Sequence, residues 1–152
     1  MFDEDFNDDY FSGYEAKNLE ESIRKHPLYL QAKNLHDVCG SITELLNGAE
    51  AEFSKRELQE SGLVILSKTY AMLTIDSKLL RLVEASVLRM YAERIRISSL
   101  ELKMFNRVDL QYSTLLRTEL ELYRAHFLDL MKETHDMSCE EDFEDDWGVI
   151  KC

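Results

Sequence analysis

Apolar residues recur along most of this chain at three- and four-residue steps. Leu28, Ala32, Leu35, Cys39, Ile42 and Leu46 form one such row, and the period is that of a helix with one buried face. It predicts a helix over about 27–47, stopped by Asn47-Gly48. Leu58, Gly62, Ile65, Thr69 and Met72 form a second row, on a helix starting near 55. In the third, over about 77–104, Leu80, Val83, Val87, Met90 and Tyr91 mark the expected inner face. The fourth row, Leu116, Leu120, Tyr123, Phe127 and Leu130, steps four-three-four-three along a helix over about 110–135. A shorter helix over about 13–25 precedes them all.

Polar signals punctuate the rows. Ser12-Gly-Tyr-Glu15 and Ser54-Lys-Arg-Glu57 both read as capping boxes, in which a serine and a glutamate three residues on satisfy free backbone N–H groups. His26-Pro27 ends the short helix, because proline disfavours helical geometry in the residue before it, and Pro27 suits the first turn of the next helix. Thr74-Ile-Asp-Ser77 predicts a tight connection capped by Asp76 or Ser77, and Asn106-Arg-Val-Asp109 a turn capped by Asp109. Gly62 lies within its own apolar row, where glycine weakens a helix by about 1 kcal/mol relative to alanine; it implies a close helix approach or a kink. The expected fold class is all-α: an antiparallel up-and-down four-helix bundle with a short N-terminal helix and acidic aromatic tails. The expected division is an acidic N-terminal segment over 1–14, the bundle over 15–135 and an acidic C-terminal tail over 136–152.

Composition agrees. Of 152 residues one is proline and five are glycine, a scarcity that suits long helices. The net charge of −12 is unevenly placed: residues 1–14 hold five acids and no base, residues 136–152 hold seven acids and Lys151, and residues 15–135 hold 18 acids and 17 bases. A near-neutral body lacks the basic face that phosphate contact needs, so a nucleic-acid partner is not expected. Neither is a membrane: the apolar run Leu63–Leu66 is far too short to span one. Cys39, Cys139 and Cys152 follow no disulfide or metal spacing. With no signal sequence opening the chain, they are expected to be reduced thiols of a cytoplasmic protein.

The stretch DSKLLRLVEASVLRMYAERIRISSLELKMF over 76–105 carries Leu80-Arg81, Arg89, Ala85, Ala92 and Lys103-Met104-Phe105. Leu115-Leu116-Arg117, Glu119, Glu121, Tyr123-Arg124 and Phe127 follow, and then Asp146-Trp147-Gly148. This pattern resembles an uncharacterised family of small bacterial four-helix-bundle proteins of unknown function. The resemblance runs from Pro27 to Gly148 and is most specific over 76–127. The chain departs from it at Asn106, where the family pattern has glycine, and lacks the family's run in its second helix. The resemblance implies the bundle and no activity.

Candidate chemistry is sparse. A di-iron bundle takes Glu-x-x-His steps, and no Glu lies three residues before His26, His36, His126 or His135. In the cluster Glu119, Glu121 and His126, residue 121 is off the face shared by the other two. No serine elbow, glycine-rich phosphate loop or Arg-x4-His step is present. No catalytic residue, cofactor, metal or small-molecule substrate is therefore expected. Arg89, Arg96 and Lys103 lie seven residues apart along one side of the third long helix, as a strip for an anionic partner or an ion-paired surface. Arg81 and Glu84, nearer the apolar row, are expected to pair across helices. Trp147, the sole tryptophan, sits with Val149 and Ile150 beyond the acids of the tail, and the three are expected to fold back onto the bundle or a second copy. The leading expectation is a non-enzymatic interaction module with an unknown protein partner or a homodimeric state. The alternative is an RNA-associated or reverse-transcriptase-accessory four-helix protein.

Overall fold

A computed structural model describes residues 8–139, with side chains from residue 13 onward. These residues are all-helical, with no strand among them. In chain order they form α1 (Asp8–Lys25), α2 (Pro27–Leu45), a one-turn 3-10 helix (Ala49–Ala51), α3 (Glu52–Thr74), α4 (Lys78–Met104) and α5 (Leu110–Asp136).

Three of the four apolar rows lie where their spacing put them. Leu28, Leu35 and Ile42 of α2, Leu58, Ile65 and Met72 of α3, and Leu116, Leu120, Tyr123 and Leu130 of α5 are buried, with Phe127 half-buried against them. The fourth row is corrected. Leu80, Val83 and Met90 of α4 are exposed, and Val87 and Tyr91 are half-buried. The buried face of α4 is instead Leu79, Ala85, Leu88, Ile95, Ser98, Ser99 and Leu102. Three of those seven residues are Ala or Ser, so hydropathy alone directs attention to the bulkier row on the other side.

The long helices contact one another in a ring: α3 packs on α2 and α4, and α5 on α2 and α4. Specific contacts fix each seam. Between α2 and α3, the Tyr29 and Tyr70 rings meet edge to face at 5.9 Å. A Cβ built on Gly62 would sit 3.1 Å from the Cys39 Cβ, so glycine here serves a close helix approach. Between α3 and α4, the Arg94 guanidinium donates to both carboxylate oxygens of Glu57 at 2.7 and 2.9 Å, and Lys68 lies 3.1 Å from Glu84. Between α2 and α5, the Gln31 amide donates to the Glu119 carboxylate at 2.6 Å. Inside the ring, the Thr69 and Tyr123 hydroxyls share a buried hydrogen bond of 2.8 Å. Glu84 thus pairs across helices as expected, whereas Arg81 donates to the Ile75 carbonyl in its own connection at 2.6 Å.

Helix ends depart from the capping signals in two places. α1 begins at Asp8 and runs through Ser12, so Ser12-Gly-Tyr-Glu15 is helix interior. The 3-10 turn lets α3 start at Glu52, which buries Ser54 inside the helix and frees Glu57 for Arg94. Elsewhere the signals hold or sharpen. Ser77 accepts from the Leu80 N–H at 3.4 Å. His26, a stop signal in the sequence, also caps α2, its Nδ1 accepting from the Leu28 N–H at 3.2 Å. Asp109 occupies the N-cap position of α5 without a side-chain capping bond. α4 closes in a Schellman arrangement: Arg107 N–H donates to the Leu102 carbonyl at 3.0 Å and Asn106 N–H to the Lys103 carbonyl at 3.3 Å. Asn106 has φ 48°, the left-handed geometry that glycine adopts most readily. Asn is, after Gly, the residue best tolerated there.

Candidate interaction surfaces

The cationic strip on α4 is one wall of a groove, and α5 supplies the other. Arg89 and Arg96 line a cavity of about 320 Å³ whose apolar floor includes Ala92, Phe127 and Leu128. Lys103 lines a neighbouring cavity of about 500 Å³, with Leu100, Leu110 and Leu122. Glu121 borders both cavities. The structure therefore places the three predicted cations along one groove. It adds two that the sequence reading did not assign to a site, Arg124 beside the first cavity and Arg117 beside the second. The signal for them was available, since 117 and 124 repeat the seven-residue spacing of the α4 strip.

The charges in this groove are only partly matched. Arg96 pairs with Glu93 at 2.8 Å and Arg124 with Glu121 at 3.3 Å, both within their own helix. Arg89, Lys103 and Arg117 have no ion pair among the described residues. Exposed intrahelical pairs of this kind contribute only about 0.2–0.5 kcal/mol, so the groove keeps a positive surplus.

A second surface lies on the outward side of α4. Val83, Met90, Ile97 and Met104 repeat every seven residues and are 43%, 52%, 49% and 73% exposed. Seven-residue spacing keeps side chains along one seam of a helix, and from residue 83 to residue 104 the row spans roughly 31 Å at 1.5 Å per residue.

The interior offers little chemistry. Burial pushes the Cys39 thiol up to about 12, so it is an inert thiol at neutral pH. Burial likewise raises the Tyr123 phenol, opposed by its hydrogen bond to Thr69. The Glu119 carboxylate is held by Gln31 and that of Glu121 by Arg124, so the sequence cluster with His126 is not assembled as one site. Among the described residues no three His, Cys, Asp or Glu side chains are grouped for a metal ion. None of the described helices is long and apolar enough to cross a membrane. Cys139 is disulfide-bonded, so the expectation of reduced thiols is corrected at that position; Cys39 is free and buried. Trp147, Val149 and Ile150 lie outside the described residues.

Comparison with known proteins finds no matching family model, no matching curated protein and no matching solved structure.

Proposed function

We propose that this chain is a non-enzymatic, cytoplasmic interaction module: an antiparallel up-and-down four-helix bundle, akin to the small bacterial family it resembles, that presents the outward seam of α4 to a protein partner or to a second copy of itself. The observation that carries the reading is the second apolar row, Val83, Met90, Ile97 and Met104. A helix at the edge of a soluble bundle needs one apolar stripe to fold. α4 has two, and the one facing solvent holds the bulkier side chains. An exposed apolar row of this kind suits a docking site for another protein, and its heptad spacing suits another helix laid along it.

The test is the double substitution Met90→Glu and Ile97→Glu. Both side chains point to solvent, so far-ultraviolet circular dichroism and the urea midpoint are expected to stay at wild-type values. Self-association measured by sedimentation, or retention of partners cross-linked in the native host, is expected to be lost. A variant with wild-type self-association and the same cross-linked partners would falsify the seam. The five cations of the α4–α5 groove are the one feature that favours the RNA-associated alternative. Retention on heparin at moderate salt, abolished by Arg89→Glu, is the result that supports that alternative.

A further inference from the structure

We propose that the α4–α5 groove is the docking site for an acidic, tryptophan-anchored segment, and that its occupant is residues 140–150 of the same chain. The proposal is independent of the outward α4 seam and starts from charge. Five cations line the groove, Arg89, Arg96, Lys103, Arg117 and Arg124, against Glu93 and Glu121. The excess is three positive charges, on a body that over residues 15–135 holds 18 acids against 17 bases. Three of the five cations have no ion pair among the described residues. Between them lie two cavities with apolar floors. A ligand complementary to this groove is anionic along its length and carries large apolar anchors.

Both ends of the chain are acidic and aromatic, but residues 1–14 lead into α1, which packs on α2 and α3 and not on the groove helices, so the C-terminal segment is the one placed to occupy it. Glu140, Glu141, Asp142, Glu144, Asp145 and Asp146 are followed at once by Trp147, Val149 and Ile150. Six acids face five cations, and the tryptophan is the residue best suited to a site walled by arginines, since guanidinium groups stack on its face.

The exit point fits as well. α5 ends at Asp136. The Lys78 ammonium donates to the His135 carbonyl at 2.9 Å, and Arg81 reaches the Met137 sulfur at 3.6 Å. The chain therefore leaves α5 beside the first turns of α4, at the Arg89 end of the groove. Phe127 lies nine residues back along α5 and Arg124 twelve, or roughly 14 and 18 Å at 1.5 Å per residue. Trp147 lies eight residues beyond Cys139; free extended chain would reach roughly 27 Å, an upper bound that the disulfide at Cys139 shortens but that exceeds the distance needed. The segment thus returns to the cavity at Ala92, Phe127 and Leu128 with slack, its acids passing Arg89 and Arg124.

Trp147 is the only tryptophan, so its emission reports occupancy directly in the full chain. The expected result is a maximum well to the blue of the urea-unfolded chain. It should move to the red in 1 M salt, roughly where the Debye length falls to 3 Å, and in Arg89→Glu/Arg124→Glu. Lys33→Glu, on the exposed side of α2, is the control expected to change nothing. Circular dichroism separates lost docking from lost fold. Emission equal to that of the unfolded chain overturns the proposal. So does a blue maximum indifferent to salt and to the groove substitutions. A blue shift that grows with protein concentration places the segment on a second copy and overturns the intramolecular site.

Discussion

The hydrogen bond between Thr69 and Tyr123 gives the sharpest test of how the helices are locked together. Both side chains are buried and their oxygens are 2.8 Å apart. Tyr123→Phe removes one oxygen and leaves the ring in place, but strands the Thr69 hydroxyl away from water. Thr69→Val strands the Tyr123 hydroxyl in the same way. A buried polar group without a partner costs about 1–3 kcal/mol, and each single substitution is expected to destabilise by that amount. Removing both oxygens leaves nothing stranded. The double variant is therefore expected within about 1 kcal/mol of wild type, giving a coupling of roughly 1–3 kcal/mol. Urea unfolding at pH 7, followed by circular dichroism, measures all four corners of the cycle. Single effects that add to within about 0.5 kcal/mol would refute the reasoning, because independent sites add. A second arm uses pH. Burial raises the Tyr123 phenol above its ordinary value of about 10, so its neutral form is bound more tightly in the folded state. That contribution is fully present below the unfolded pKa of about 10 and is lost as pH rises above it. Tyr123→Phe should remove this alkaline component, and the stability gap between wild type and variant should narrow above about pH 10.

Two further predictions concern helix ends. Burial lowers the His26 imidazole below its ordinary value, with His126 and Arg81 acting in the same direction and Glu133 against them. The stability this neutral cap contributes is present above about pH 6.5 and is lost as pH falls through the lower folded value. His26→Asn keeps a capping acceptor, so its unfolding free energy should fall less than wild type between pH 7 and pH 5 in parallel urea titrations. At the α4 terminus, Asn106→Ala should destabilise by about 1 kcal/mol, whereas Asn106→Gly should be neutral or stabilising, because only the former puts an unsuited Cβ at positive φ. Equal melting temperatures for the two variants would contradict that account.

Much of the fold was legible because the information was periodic. The α5 row was readable to the residue because Leu116, Leu120, Tyr123 and Leu130 are large, apolar and on one face. The α2 and α3 rows were readable for the same reason, and the two glycine-free turns around Ser77 and Asp109 were placed by their polar residues alone. Capping boxes were less reliable. Ser12 and Ser54 carry the right residues at the right spacing, but a cap requires that the helix end there. In one case the chain was already helical, and in the other a 3-10 turn advanced the start. The groove was half legible: the seven-residue steps put the α4 cations on one side of their helix and Arg117 and Arg124 on one side of α5, but nothing local says that these two sides meet.

The error on α4 carries the most physical content. Two rows compete on that helix, and the sequence gives the larger side chains to the row that faces solvent. A buried face can be made of Ala85, Ser98 and Ser99 if two neighbours approach closely, since small residues let helix axes come together and Leu88, Ile95 and Leu102 then suffice to fill the core. An exposed face has no such reason to be apolar: Val83, Met90, Ile97 and Met104 could be lysine or glutamate at no cost to the bundle, with a gain in solubility. Retaining a seven-residue apolar row there is a local inconsistency between surface composition and folding. Such inconsistencies are expected where a surface serves something other than the stability of its own chain. Val83 and Met90, two of the residues that misdirect the reading of the core, are thus also among those that carry the proposal of a partner.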